Sequence, residues 1–206
     1  MSETSVMSET SVMSETSVMS GRKIPQYFEN PLSSFLNNIS NKVSPILKKM
    51  NMYPNDITTI GNIFRVTSIY LFLKKNYKLS AVCYFIGFYF DCLDGYYARR
   101  YDMVTTFGDL YDHISDVVLN GIIIRLLVKT QFRYKIFWLG LLLGLFITSM
   151  IHMGCQEKIY KEESVLTILQ KLCPNRRYMI YTKFIGCGTL MLVVSLLIYN
   201  LGYFTK

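Results

Sequence analysis

LSAVCYFIGFYFDCLDGYYA, residues 79–98, is an apolar run with two acids, Asp91 and Asp94, set into its carboxyl end. Its length matches the roughly 17 to 25 residues that cross a bilayer core, so it reads as a transmembrane helix. The next run, TTFGDLYDHISDVVLNGIIIRLLV at 105–128, places Asp112 and Asp116 near its start, with Asp109 about one turn earlier. Spacings of three and four put each pair on one helix face. Two spans joined through the Arg99–Phe107 connection can therefore present four carboxylates to each other. Carboxylates in a lipid-solvated bundle are costly and mark function.

Outward from this pair, further apolar runs fall at Ile57–Leu73, Ile136–His152 and Met179–Phe204, each of spanning length. Hydrophobic residues make up 51% of the 206, and charged ones only 17%, against about 25% for soluble domains. A cytosolic globule is excluded. The expected fold is all-α: a polytopic transmembrane helix bundle of five to six spans, preceded by an amphipathic N-terminal interfacial helix. The charge of +8 lies between apolar blocks rather than in a stripe, which fits a lipid bilayer or an anionic substrate and not nucleic acid.

Three regions follow. Residues 1–20 begin with three copies of Met-Ser-Glu-Thr-Ser-Val, too polar to order, and form a disordered tail. Residues 21–53 are an amphipathic juxtamembrane segment. In it Leu32, Phe35, Leu36, Ile39, Val43, Ile46 and Leu47 recur at helical intervals, with an interruption or kink near Pro45. Residues 54–206 form the transmembrane domain. More basic residues lie on the side of the amino terminus and the Arg99-Arg100 turn, which places that side in the cytoplasm. Cys83, Cys92, Cys155, Cys173 and Cys187 form no C-x-x-C pair and read as reduced packing residues. His152, at a span end, reads as interfacial.

Four carboxylates at low dielectric repel unless a cation neutralises them, and an all-oxygen cluster selects a hard ion, Mg²⁺ or Mn²⁺. Two ions suit Asp91, Asp94, Asp112 and Asp116 better than one. Gly95, Ala98 and Gly108 leave bare patches where a flat ligand can approach the backbone, and Arg99 offers a planar fork to phosphate. Arg65, inside the first span, either pairs with an acid or contacts substrate phosphate; both stay open.

The run Asp91-x-x-Asp94-Gly95-x-x-Ala98-Arg99, eight residues, Gly108-x-x-x-Asp112-x-x-x-Asp116 resembles the signature of the CDP-alcohol phosphotransferase family at every fixed position. Pro54-Asn55-Asp56-Ile57-Thr58 is similar to a sequence such enzymes often carry where their first span begins. The resemblance implies that an alcohol attacks the diphosphate of a CDP-linked donor and CMP leaves. It implies that Asp91, Asp94 and Asp112 hold metal and that Asp116 is the catalytic base while also touching metal. Asp94, Gly95, Ala98, Arg99 and Gly108 would bind the CDP moiety.

His113 follows Asp112 as in the choline and ethanolamine branch of the family, which makes it, with Arg65, a candidate acceptor or phosphate contact. Ile114-Ser115 departs from the Gly-Cys pair usual there. Phosphatidylinositol synthases often carry Arg after the last Asp, where this chain has Val117. The donor is therefore CDP-diacylglycerol, acting on a polar alcohol, or CDP-choline or CDP-ethanolamine, acting on diacylglycerol. A homodimer is implied by the family. Lys158, Lys161, Lys171, Arg176 and Arg177 either enforce topology or bind a phosphate. The rival reading is a non-catalytic bundle that uses the acids for ion binding or for ion pairs.

Overall fold

The computed structural model describes residues 21–160, 171, 173 and 178–205. The tail at 1–20 and the basic residues Lys161, Arg176 and Arg177 lie outside them. Among the described residues there are helices and turns and no strand.

A 3-10 turn at Gln26–Phe28 leads into α1 (Pro31–Lys49), followed by α2 (Pro54–Leu73), α3 (Tyr77–Arg100), α4 (Thr106–Lys129) and α5 (Lys135–Tyr160). The four expected runs up to His152 each fall on one helix, with Thr105 as the N-cap of α4. Proline at the first position of α1 and α2 suits a helix start, where its missing N–H loses no bond. Asn30 caps α1 by accepting from Leu32 N at 3.1 Å, and Thr105 caps α4 by accepting from Gly108 N at 3.0 Å.

The last expected run is not one helix. It divides into α6 (Tyr178–Thr182), a 3-10 turn at Lys183–Ile185, and α7 (Cys187–Phe204). The break comes at Gly186, whose backbone is extended. A Cβ there would lie 3.3 Å from His152 and 3.4 Å from Asn30, so the chain passes too close to its neighbours to keep a side chain comfortably. Asn30 Nδ2 fills the break by donating to Lys183 O and Thr189 Oγ1, both at 2.8 Å.

Among the described residues, two segments, Lys135–Gln156 and Lys183–Phe204, are long and apolar enough to cross a bilayer. Helices α2, α3 and α4 have 20, 24 and 24 residues but carry the buried polar groups of the site. Helices α2 and α3 form a close hairpin. Gly61 and Gly87 sit at its crossing, and Ser68 and Ser80 each donate to the other's carbonyl at 2.8 Å. At the end away from Asp94, Phe72, Tyr84, Ile123 and Leu127 pack around Leu197, Ile198 and Leu201 of α7.

Helix α1 is continuous through Pro45, and beside Leu36 it buries a row of small polar residues. Ser34, Asn37, Ser40 and Ser44 are buried, with α1 lying on α3, while Phe35 and Ile46 are exposed. Small side chains let the helices approach, and the Ser40 and Ser44 hydroxyls donate to their own helix at Leu36 O and Ser40 O. The outer faces of α4 and α5 are also apolar: Val117 is 75% and Ile136 88% exposed. Contiguous apolar surface of this kind needs a lipid or protein cover.

Two expectations are corrected. Cys155 and Cys173 are joined in a disulfide 18 residues apart in sequence, while Cys83, Cys92 and Cys187 are free. The bridge is a tertiary contact with no local motif to announce it. His152 is 2% exposed rather than interfacial, and its Nδ1 lies 2.9 Å from Thr182 Oγ1, tying α5 to α6.

Candidate active site

The acids come from the carboxyl end of α3 and the amino end of α4, as their spacing predicts. Oxygens of Asp91, Asp112 and Asp116 all lie within 4.8 Å of one another. Asp94, one turn after Asp91, is 4% exposed and stands outside that trio. Thr58 Oγ1 on α2 donates to Asp94 Oδ2 at 2.5 Å. The same hydroxyl is 3.2 Å from Pro54 O, so the start of α2 fixes the position of this acid.

Arg65 reaches the trio from the middle of α2. Its Nη1 donates to Asp116 Oδ1, and its Nη2 stands 2.9 Å from Asp91 Oδ1 as a charge contact. The side chain crosses Gly87, where an added Cβ would lie 2.6 Å from Arg65 Cγ. One guanidinium cannot balance three acids. Asp112 Oδ1 is buried without a hydrogen-bond partner among the described residues. A buried oxygen in that state is expensive, and close carboxylate oxygens are what a hard divalent ion requires. The residues present therefore fit Mg²⁺ or Mn²⁺.

Beside the trio opens a cleft with room of about 150 Å³. Its lining includes Asp94, Gly95, Ala98, Arg99, Gly108, Asp112 and His113, so each residue expected to meet the CDP moiety faces one space. At Gly95 a Cβ would lie 3.3 Å from the Arg99 guanidinium; at Gly108 it would lie 3.0 Å from Asn55 Oδ1 and from Thr105 Oγ1. Both glycines thus keep the cleft open. His113 Nδ1 donates to the Asp109 carbonyl at 2.7 Å, because a carbonyl can only accept. That fixes the tautomer and leaves Nε2 as the acceptor of the neutral ring.

Of the candidate site residues, Arg65 takes acid partners, and the acids, Gly95, Ala98, Arg99, Gly108 and His113 fall on the trio or the cleft, whereas Lys158 and Lys171 line neither. Lys23, Asn55, Thr58 and Asp109 also belong to the cleft. Asn55 and Thr58 stand in the Pro54–Thr58 motif. Asp109 is one turn before His113 and was readable as a helix-end charge. Nothing local marks Lys23.

A helical bundle that sets clustered acids beside a cleft lined by Arg99, Gly95 and Gly108 can receive a phosphorylated ligand. The profile of the CDP-alcohol phosphatidyltransferase family matches residues 51–202, and the chain belongs to that family. It is similar to the CDP-diacylglycerol--glycerol-3-phosphate 3-phosphatidyltransferase of Rickettsia typhi, with 35% identity over 39% of this chain and 47% of the relative. It is also similar to the CDP-diacylglycerol--inositol 3-phosphatidyltransferase of Candida albicans, with 27% identity over 66% and 70% of the two chains. A third relative, the archaetidylinositol phosphate synthase of Pyrococcus horikoshii, is 30% identical over 43% of this chain and 50% of its own length. The chain spans about half or less of the first curated relatives it matches. No solved structure matches it.

Proposed function

We propose that the protein is a multi-pass membrane phosphatidyltransferase of phospholipid synthesis, which moves a phosphatidyl group from CDP-diacylglycerol to a polar alcohol and releases CMP. The observation that carries this reading is the adjacency of the cleft to the Asp91, Asp112 and Asp116 oxygens. Relatives named for CDP-diacylglycerol favour that donor over CDP-choline or CDP-ethanolamine.

In this reading the cytidine nucleotide lies against Gly95, Ala98 and Gly108, with Arg99 turned to its phosphates. Divalent ions bound at Asp91, Asp94, Asp112 and Asp116 would supply charge neutralisation at the attacking and leaving oxygens. The acceptor oxygen forms a bond to the phosphorus that carries diacylglycerol. The bond from that phosphorus to the bridging oxygen breaks, and its electron pair leaves with CMP. The acceptor's proton passes to Asp116. Arg65 holds Asp116 in place for that transfer, and His113 stands at the cleft where an acceptor would enter.

The apolar outer faces of α4 and α5 and the exposed Phe35 and Ile46 of α1 support five spans with an interfacial helix. The cleft then opens at the amino-terminal side, which the basic bias assigns to the cytoplasm. A second copy could cover part of the same outer faces.

Acceptor-dependent CMP release by the purified protein tests the reading. CDP-diacylglycerol is offered with glycerol 3-phosphate, inositol or serine, and CDP-choline with diacylglycerol. Release with one polar alcohol names the acceptor; release only with CDP-choline reverses the donor assignment.

A further inference from the structure

The segment ahead of α1 carries a cation into the cleft. Lys23 lines it, facing the same space as Asp94, Gly95 and Arg99, although 71 residues separate it from Asp94 in the chain. We propose that Lys23 is a substrate-phosphate contact of the active site, delivered by an N-terminal strap formed by residues 21–29. The proposal rests on the phosphatidyltransferase reading and extends it to a residue outside the family motif.

Both neighbours of Lys23 are fixed. Before it, Gly21 accepts from Arg99 Nε at 3.1 Å and has a φ of +79°, and a Cβ there would stand 2.7 Å from Tyr96 O. Only glycine fits such a left-handed position against a backbone oxygen. Arg22 is clamped by Glu29 and by Asn38 of α1. After it, Ile24 is 2% exposed and packs with Cys155, Cys173 and Met179. A lysine held between an anchored glycine and a buried isoleucine has a fixed origin for its stem, so its ammonium is confined to the cleft's neighbourhood.

The electrostatics of the cleft ask for such a group. Asp94, Asp109 and Asp112 line it, and an incoming diphosphate adds negative charge to them. Arg99 is the motif cation, and its Nε is already committed to the strap. Among the described lining residues, Lys23 is the other permanent cation. A lysine supplies a mobile point charge with three donors, suited to a phosphate that shifts as a bond breaks. The shared ligand chemistry is a phosphate group, carried by the donor diphosphate or by a phosphorylated acceptor.

The test is equilibrium binding of CDP, cytidine and glycerol 3-phosphate to the full chain in detergent with Mn²⁺, for the parent, Lys23→Gln and Lys23→Arg. The loss of one charge-assisted phosphate contact predicts about a tenfold weaker CDP affinity in Lys23→Gln. Cytidine binding should stay unchanged, and Lys23→Arg should restore CDP affinity. Weakened glycerol 3-phosphate binding with CDP unchanged would support the contact and place it on the acceptor. If Lys23→Gln, folded by thermal melt, binds both phosphates as the parent does, the proposal is overturned. If the parent protein binds no CDP at all, the phosphatidyltransferase reading falls instead, and this inference with it.

Discussion

Arg65 of α2 donates to Asp116 of α4 and, through its other terminal nitrogen, faces Asp91 of α3 at 2.9 Å. Three helices that supply the site are thus joined by one guanidinium with 3% of its residue surface exposed. Removing one member of a buried pair costs about 3 to 5 kcal/mol, because the other charge is left uncompensated. Arg65→Ala should therefore lower the melting temperature markedly and abolish turnover. Arg65→Lys keeps the charge but cannot span both acids, and should retain stability better than activity. Equal loss of both properties in the two variants would deny Arg65 its bridging role.

Thr58 offers a subtler probe. Its hydroxyl donates to Asp94 at 2.5 Å, and valine has nearly its shape without the donor. Loss of a hydrogen bond to a charged group is worth about 1.5 to 3 kcal/mol, or roughly a ten- to hundredfold fall in kcat/KM. Thr58→Ser should recover most of it. Wild-type kinetics in Thr58→Val would show that Asp94 needs no support from α2.

The hairpin crossing can be tested through Gly87. A methyl group there would meet Arg65 Cγ at 2.6 Å and Gly61 O at 3.1 Å. Overpacking of this kind costs about 1 to 3 kcal/mol. Gly87→Ala should be less stable by that amount in detergent unfolding, and it should lose activity through the displaced Arg65. Gly121→Ala, where nothing lies within 4 Å of the added carbon, is the control that reads the helix-propensity gain of the methyl group alone.

The Cys155–Cys173 bridge bears on orientation. Ile24 packs on both cysteines, so the bridge belongs to the cleft end of the bundle, which the charge bias assigns to the cytoplasm. Thiols there are ordinarily kept reduced. Mass spectrometry of protein alkylated in intact cells should find Cys155 and Cys173 unlabelled if the bridge persists. Closing an 18-residue separation stabilises by about 3 kcal/mol in the chain-entropy view, so reduction should lower the melting temperature by several degrees. A persistent bridge in cells would argue for the opposite orientation.

The sequence was most legible where chemistry forces residue types into fixed spacing. Intervals of three and four put Asp91 with Asp94, and Asp112 with Asp116, on single helix faces, and the short connection between the helices let those faces meet. The apolar runs at 57–73, 79–98 and 105–128 likewise became helices close to their expected ends. Contacts made at a distance were not legible. Arg65 could have met phosphate or acid, and only the crossing at Gly87 decides it. The serine face of α1 was hidden because a polar face ordinarily meets water, whereas here it gives α3 a close approach. Gly186 breaks the last apolar run because of His152 and Asn30, residues 34 and 156 positions away. Lys23 has no local signature at all.

The most direct measurement is CMP release from CDP-diacylglycerol and its acceptor, with Mn²⁺ titrated from zero, for the parent and Asp116→Asn. The acidic trio and its neighbouring cleft predict turnover that appears only with the ion, saturates with it, and disappears in Asp116→Asn while CDP still binds. Turnover that ignores the ion, or that survives in Asp116→Asn, would contradict the assignment of the trio as the reaction centre.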